Sequence, residues 1–231
     1  MGDPAVLRDL QPVSRRAPTR RSAAGRTKTS AAATAVEPDV ARMAEGVARF
    51  LEGAGLSLGD PDLRDTPERV ARCWSEEFLG GYRTTPEEAL GECFEAPVGE
   101  DGALVVVTGL RFHSMCPHHL LPYAGTAHVA YVPKGRVVGF GRLAALVDCF
   151  AHRLILQEAL AHEVAEALAR VLQSPASACV IEAEQSCLRL RTAGQRDAVT
   201  HSEAYCGTLR RDGPLRRELW ARLGARAGAG R

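Results

Sequence analysis

A switch in hydrophobic period near residue 103 constrains this chain more than any other feature. Before it, Val40, Met43, Ala44, Val47, Phe50 and Leu51 recur at helical spacing, with Gly53 and Gly55 as terminators. A second helix is expected from Asp65-Thr66-Pro67-Glu68, with Asp65 or Thr66 as cap and Pro67 in the first turn. Its apolar face is Val70, Cys73, Trp74 and Phe78, and Gly80-Gly81 ends it. After the switch, residues 103–112 and 126–132 are β-branched, apolar or alternating, as strands require. Pro133-Lys134-Gly135 reads as a turn into a strand at 136–140. Helices are expected over 143–151 and 156–172, strands over 177–183, 187–192 and 199–209, and a short helix over 215–223. Strands on both sides of a helical pair predict an α+β fold on an antiparallel sheet, preceded by N-terminal helices.

The N-terminal stretch follows other rules. Residues 1–36 carry seven basic side chains against Asp3 and Asp9, a net of +5, while the rest of the chain carries −4. The stretch has no aromatic residue and no sustained period, so it cannot bury enough apolar area to offset its ordering entropy. We expect a disordered basic tail over 1–37, a helical region over 38–95, a catalytic domain over 96–223 and a flexible end over 224–231. The tail reads as a solvated extension in preference to an arm for nucleic acid or an acidic partner, so nucleic acid is not an expected partner. No run approaches the roughly 20 apolar residues of a membrane span, and no secretory segment stands in the first thirty residues. The seven cysteines are therefore expected as thiols, in a cytoplasmic setting.

The most chemical segment is Ser114-Met115-Cys116-Pro117-His118-His119. In Cys116-Pro117-His118-His119, a thiolate and an imidazole sit at a spacing that lets one turn bring both to a Zn²⁺ ion. A structural site needs four protein ligands, and Cys187, Cys179 and Cys206 are the later donors. If Cys187 alone joins Cys116 and His119, one position stays open for water. Zinc lowers the pKa of such a water to roughly 7. His118 would then be free as a proton donor. Spacing alone leaves a catalytic zinc, a structural zinc and no metal all open. Bland readings stand beside other candidates: Gln157-Glu158 as a solvated helix face, Arg69 and Arg72 as surface charge, His128 as a satisfied structural histidine and Lys134 as a turn lysine.

Three segments in order closely resemble GTP cyclohydrolase I. They are residues 116–122 (CPHHLLP), 125–135 (GTAHVAYVPKG) and the Val147-Asp148, Phe150-Ala151, Arg153-Leu154 and Gln157-Glu158 pattern. The likeness runs from the Thr66-Pro67-x-Arg69-Val70 helix to about Arg217. It implies the T-fold, a homo-oligomeric torus of ten subunits with shared active sites, and GTP as substrate. By that resemblance Cys116, His119 and Cys187 are the zinc ligands and His118 is the general acid/base. Gln157-Glu158 form the guanine pair, and Arg69, Arg72 and Arg191 hold the triphosphate. The implied reaction hydrolyses guanine at C8 as His118 protonates N7. It then releases formate and rearranges the ribose to give 7,8-dihydroneopterin triphosphate.

Departures from the family pattern bear on function. Gln185 stands where a second active-site histidine is usual, and glutamine hydrogen-bonds without shuttling protons. Gly141-Arg142 replaces Ser-Lys, with Arg142 retaining a cation, and Ala145 replaces an arginine. Pro117 replaces a glutamate, and the loop after Arg191 lacks a glycine. Three expectations follow: the complete reaction, with water, His113 or His201 standing in for the histidine; a reaction arrested at a ring-opened formamide; or a non-catalytic zinc-binding paralogue in a mixed torus. The retained zinc and purine residues favour the first.

Overall fold

The structure, a computed structural model, describes residues 37–95, 103–191 and 194–229; the tail expected over 1–37 lies outside them except for Glu37. Helix α1 spans Val40–Gly53, and the Asp39 carboxylate caps it by accepting from the Arg42 N–H at 3.0 Å. Helix α2 spans Thr66–Cys73 and widens into π-helical turns over Trp74–Phe78. Asp65 sits at its N-cap position without a capping bond and pairs instead with Arg69 at 3.0 Å. The sequence reading missed α3, Pro86–Leu90, whose Thr85–Glu88 capping box is complete.

The four-stranded sheet runs in the order β2-β3-β5-β6, from Val105–Met115, Pro122–Tyr131, Ala176–Gln185 and Thr200–Gly207, and every pair is antiparallel. A separate ribbon pairs β1, Phe94–Glu95, with β4, Arg136–Val137. Helices α4, Phe140–Ala151, and α5, Gln157–Val171, lie in the connection from β3 to β5. Their faces Leu143, Leu146 and Phe150, and Leu160, Val164 and Leu168, pack on Phe112, Val129, Cys179 and Ile181. Each such side chain contributes about 1.5–3 kcal/mol on burial, so this layer holds the sheet flat against the helical pair. On the other face Ala130, Val132, Ala176 and Ala178 are covered by Leu209 and by Leu219 of α7, Pro214–Ala229.

Three expectations are corrected. In place of the strand expected over 187–192, Ser186–Arg189 form a helical turn, α6, because β5 has already reached the start of its partner β3 and finds no further ladder; Thr192 lies outside the described residues. The strand over 136–140 stops at Val137, and Phe140 opens α4. The short helix expected over 215–223 is longer, running as α7 from Pro214 to Ala229. Strand β2 also carries a bulge between Val107 and Leu110, where Gly109 adopts φ 74°. The freed Gly109 N–H donates to His128 Nδ1 at 3.2 Å, so His128 has the structural role read from the sequence.

Candidate active site

Strand register brings the chemistry to one end of the sheet. Ser114, Tyr123 and Gln185 are cross-strand neighbours on β2, β3 and β5 and share the face that the helices cover. Cys116 follows the end of β2, and Cys187 lies two residues past the end of β5, so the two thiols emerge on either side of β3. A turn closed by Cys116 N–H to Leu121 O and Leu120 N–H to Cys116 O, both 3.0 Å, carries Pro117, His118 and His119. Leu120 holds φ 53° there, a left-handed conformation costly for a bulky side chain. Both histidines of the turn are exposed, with ring centroids 6.3 Å apart.

The start of α5 is tied to the same end. Leu154 bridges Met115, Ile155 N–H donates to Met115 O at 3.2 Å, and Tyr123 Oη donates to Ile155 O at 3.1 Å. Burial pushes the Tyr123 phenol up to about 12, and the nearby Cys116 and Glu158 act in the same direction. Glu158 is exposed in the first turn of α5, where the helix dipole favours a carboxylate. Gln157 is 4% exposed, with its carboxamide engaged by Gln185, Thr200 and Ile181. Thr200 had no signal in the sequence, because a threonine on an edge strand looks like any other.

The donor set of two free cysteines and a histidine matches zinc chemistry, and Cys116 is buried while Cys187 is half-buried. Among the described residues, however, no three His, Cys, Asp or Glu side chains converge as a metal-holding group. A cleft of about 570 Å³ at the ends of β3 and β5 is lined by Tyr123, Ala124, Glu184, Ser186, Arg189 and others.

The arginines are dispersed. Arg69 and Arg72 line a cleft of about 620 Å³ with Asp65, Glu68, Glu76 and Glu77, and neither Arg142 nor Arg191 lines it. The Arg142 guanidinium lies against Gly91, and Arg191 is exposed just past α6. The histidines weighed as substitutes at Gln185 do not share its register. His113 pairs with Ala124 and His201 with Glu182, positions of the opposite strand face. The His113 ring packs 4.7 Å from His152 and 5.5 Å from Phe78.

The family model described as GTP cyclohydrolase I matches residues 43–224. The chain belongs to the GTP cyclohydrolase I family. It is 39% identical over 181 residues to GTP cyclohydrolase 1 of Chromobacterium violaceum, covering 78% of this chain and 86% of that protein. The Ralstonia nicotianae enzyme of the same name is 38% identical over 78% of this chain and 85% of its own length. That of Brucella canis is 40% identical over 75% and 81%. The T-fold of this GTP cyclohydrolase I family member accounts for the antiparallel sheet backed by its helical pair.

Proposed function

We propose that this protein hydrolyses GTP at guanine C8, releases that carbon as formate and rearranges the remainder to 7,8-dihydroneopterin triphosphate, the opening step of pterin and tetrahydrofolate synthesis. One observation carries the reading: a single sheet end gathers the Cys116–His119 turn, the Gln157-Glu158 helix start and the Gln185–Cys187 segment. Cys116, His119 and Cys187 would hold a zinc ion. When bound, it supplies the Lewis acidity that makes water a competent nucleophile near neutral pH.

The chain's own groups do the rest. The Glu158 carboxylate accepts from guanine N1–H and the exocyclic amine, a bidentate fit that fixes which edge faces the turn. His118, exposed on that turn, donates a proton to N7 as C8 is attacked, so that the imidazole ring opens without a nitrogen anion. The same imidazole returns protons during formate loss and ribose rearrangement, which are acid–base steps. Arg69, Arg72, Arg142 and Arg191 are the cations for the triphosphate. Their dispersal over one chain supports a site completed between subunits of a homo-oligomer. The apolar side of α1 supports the same view, because none of its residues is buried and Phe50 is 74% exposed. No described helix is long and apolar enough to cross a membrane.

Arrest at the ring-opened formamide is the second reading, and one observation favours it: Gln185 is an amide, unable to take up a proton, and no histidine shares its register. The test is to incubate the zinc-loaded protein with GTP and follow guanine absorbance and the fluorescence of the oxidised pterin product. Fluorescent product supports the complete reaction. Loss of guanine absorbance without it identifies the arrested one, and unchanged GTP contradicts both.

A further inference from the structure

The carboxamide of Gln157 uses its hydrogen-bonding capacity inside the protein. Its Nε2 faces two backbone carbonyls, Thr200 O at 3.1 Å and Ile181 O at 3.4 Å. Carbonyls only accept, so this end must be the NH₂ group. The other end is therefore Oε1. It lies 2.6 Å from Thr200 Oγ1 and 2.7 Å from Gln185 Nε2. The Thr200 hydroxyl has one proton, and the shorter contact takes it in preference to Ala183 O at 3.0 Å.

That assignment propagates by elimination. Turning the Gln185 amide over would set two oxygens 2.7 Å apart, so its NH₂ faces Gln157 and its Oε1 faces away. A free glutamine offers either end to a ligand; this one offers an acceptor. The purine edge that reacts carries N7, which only accepts, and C8, whose C–H is a poor hydrogen-bond donor. With the His118 N–H directed at N7, the donor left for an acceptor there is the O–H of the attacking water.

We propose that Gln157 locks Gln185 as a fixed hydrogen-bond acceptor that orients the water attacking C8, and that the Gln157 side chain acts through Gln185 rather than on the base. The proposal rests on the functional reading above and deepens it. Gln185 is a positioning residue: it fixes where the water's lone pair points and leaves proton transfer to His118. The device also accounts for an amide at a position where the family usually has a histidine. Neutral imidazole presents one donor and one acceptor, and an amide held on one side by Gln157 presents the same pair in one fixed sense.

The test is a double-mutant cycle on the zinc-loaded protein with GTP as substrate. Gln185→Met removes the acceptor. It should lower kcat about tenfold, the loss of one hydrogen bond in the transition state. KM for GTP and zinc content should stay unchanged, since the residues proposed to hold both are untouched. Gln157→Met frees the Gln185 amide to rotate and should lower kcat to a similar degree, again at constant KM. The double variant should be no slower than the slower single one.

Multiplicative losses, or a Gln157→Met variant whose KM rises while kcat holds, would overturn the proposal. The second pattern would mean that Gln157 touches the base itself. Should Gln157→Met fail to fold, Thr200→Val replaces it. That variant removes one donor and keeps the backbone carbonyl, and its smaller drop in kcat should vanish in the Gln185→Met background; a drop that persists there overturns the proposal. A readout independent of turnover is neutron diffraction from the zinc-loaded protein. Deuterons of Gln185 should point at Gln157 Oε1, and deuterons pointing away contradict the lock. A wild-type protein that leaves GTP intact fails the functional reading, which the neutron result distinguishes from failure of the lock.

Discussion

Cysteine shows how much position decides for one kind of side chain. Cys179 is fully buried between the sheet and the helical pair, and burial pushes its thiol up to about 12. Cys149 is also raised by burial, and its Sγ–H donates to Thr84 O at 3.2 Å. Cys73 is exposed. Buried and held as the thiol, Cys179 should stay unmodified by a disulfide reagent at pH 8 while the exposed Cys73 reacts within minutes. Mass spectrometry of the labelled protein checks the order. Cys187→Ser should remove zinc, measured by elemental analysis, together with turnover; full zinc content in that variant would contradict the ligand assignment.

His152 gives a second residue-scale test, in pH. Burial lowers its pKa below the ordinary 6.5; His113 acts in the same direction, while Asp148 and Glu77 oppose it. The unfolded chain therefore binds this proton more readily than the folded one. The stability linked to neutral His152 is present above about pH 6.5 and is lost as pH falls through the lowered folded value. A His152→Gln variant should show a flatter fall in Tm between pH 7 and 5 than the wild type. An identical slope would mean that the shift does not matter to stability.

At the scale of elements, close approach of β3 and β5 limits what the sheet accepts. A Cβ on Gly125 would stand 2.0 Å from Glu182 O and 2.7 Å from Ala183 Cα, both backbone atoms that cannot swing aside. Gly125→Ala should cost about 3 kcal/mol in a denaturant titration, a value at the upper end for overpacking. The same scale shows what was legible in the sequence. Helices α4 and α5 and strands β2, β3 and β5 follow directly from period, because each turns apolar residues to the core, and α1 follows from its helical spacing although none of its residues is buried. Segment 187–192 did not, since Cys187, Leu188 and Leu190 are as compatible with a strand as with a turn of helix. Only the end of the β3 ladder decides between them. Helix α3 was missed because five residues carry no period, although Thr85 and Glu88 spelled its cap. Cys116, His118, His119 and Glu158 are proposed from motif. The bond from Gln185 to Gln157 was not legible in the sequence, because it depends on a register that brings two distant amides within 2.7 Å.

For the whole molecule, the net charge of +1 is a sum over a basic N-terminal stretch and a body of −4. A body of that sign must concentrate its cations locally to hold a triphosphate, and no single described cleft is lined by all four arginines named above. A homo-oligomer is therefore expected, with a mass by light scattering that is a whole multiple of 24.8 kDa. Phe50→Asp, on the uncovered side of α1, should shift that mass downward and lower activity with it. A monomeric wild type with full activity would contradict sites completed between subunits.

The central claim is that one sheet end, with an amide at position 185, carries the reaction to its final product. The ratio of formate released to pterin formed in a single incubation with GTP tests it most directly. One formate per pterin is expected throughout the time course. Formate without pterin, or GTP consumed with neither, would contradict it.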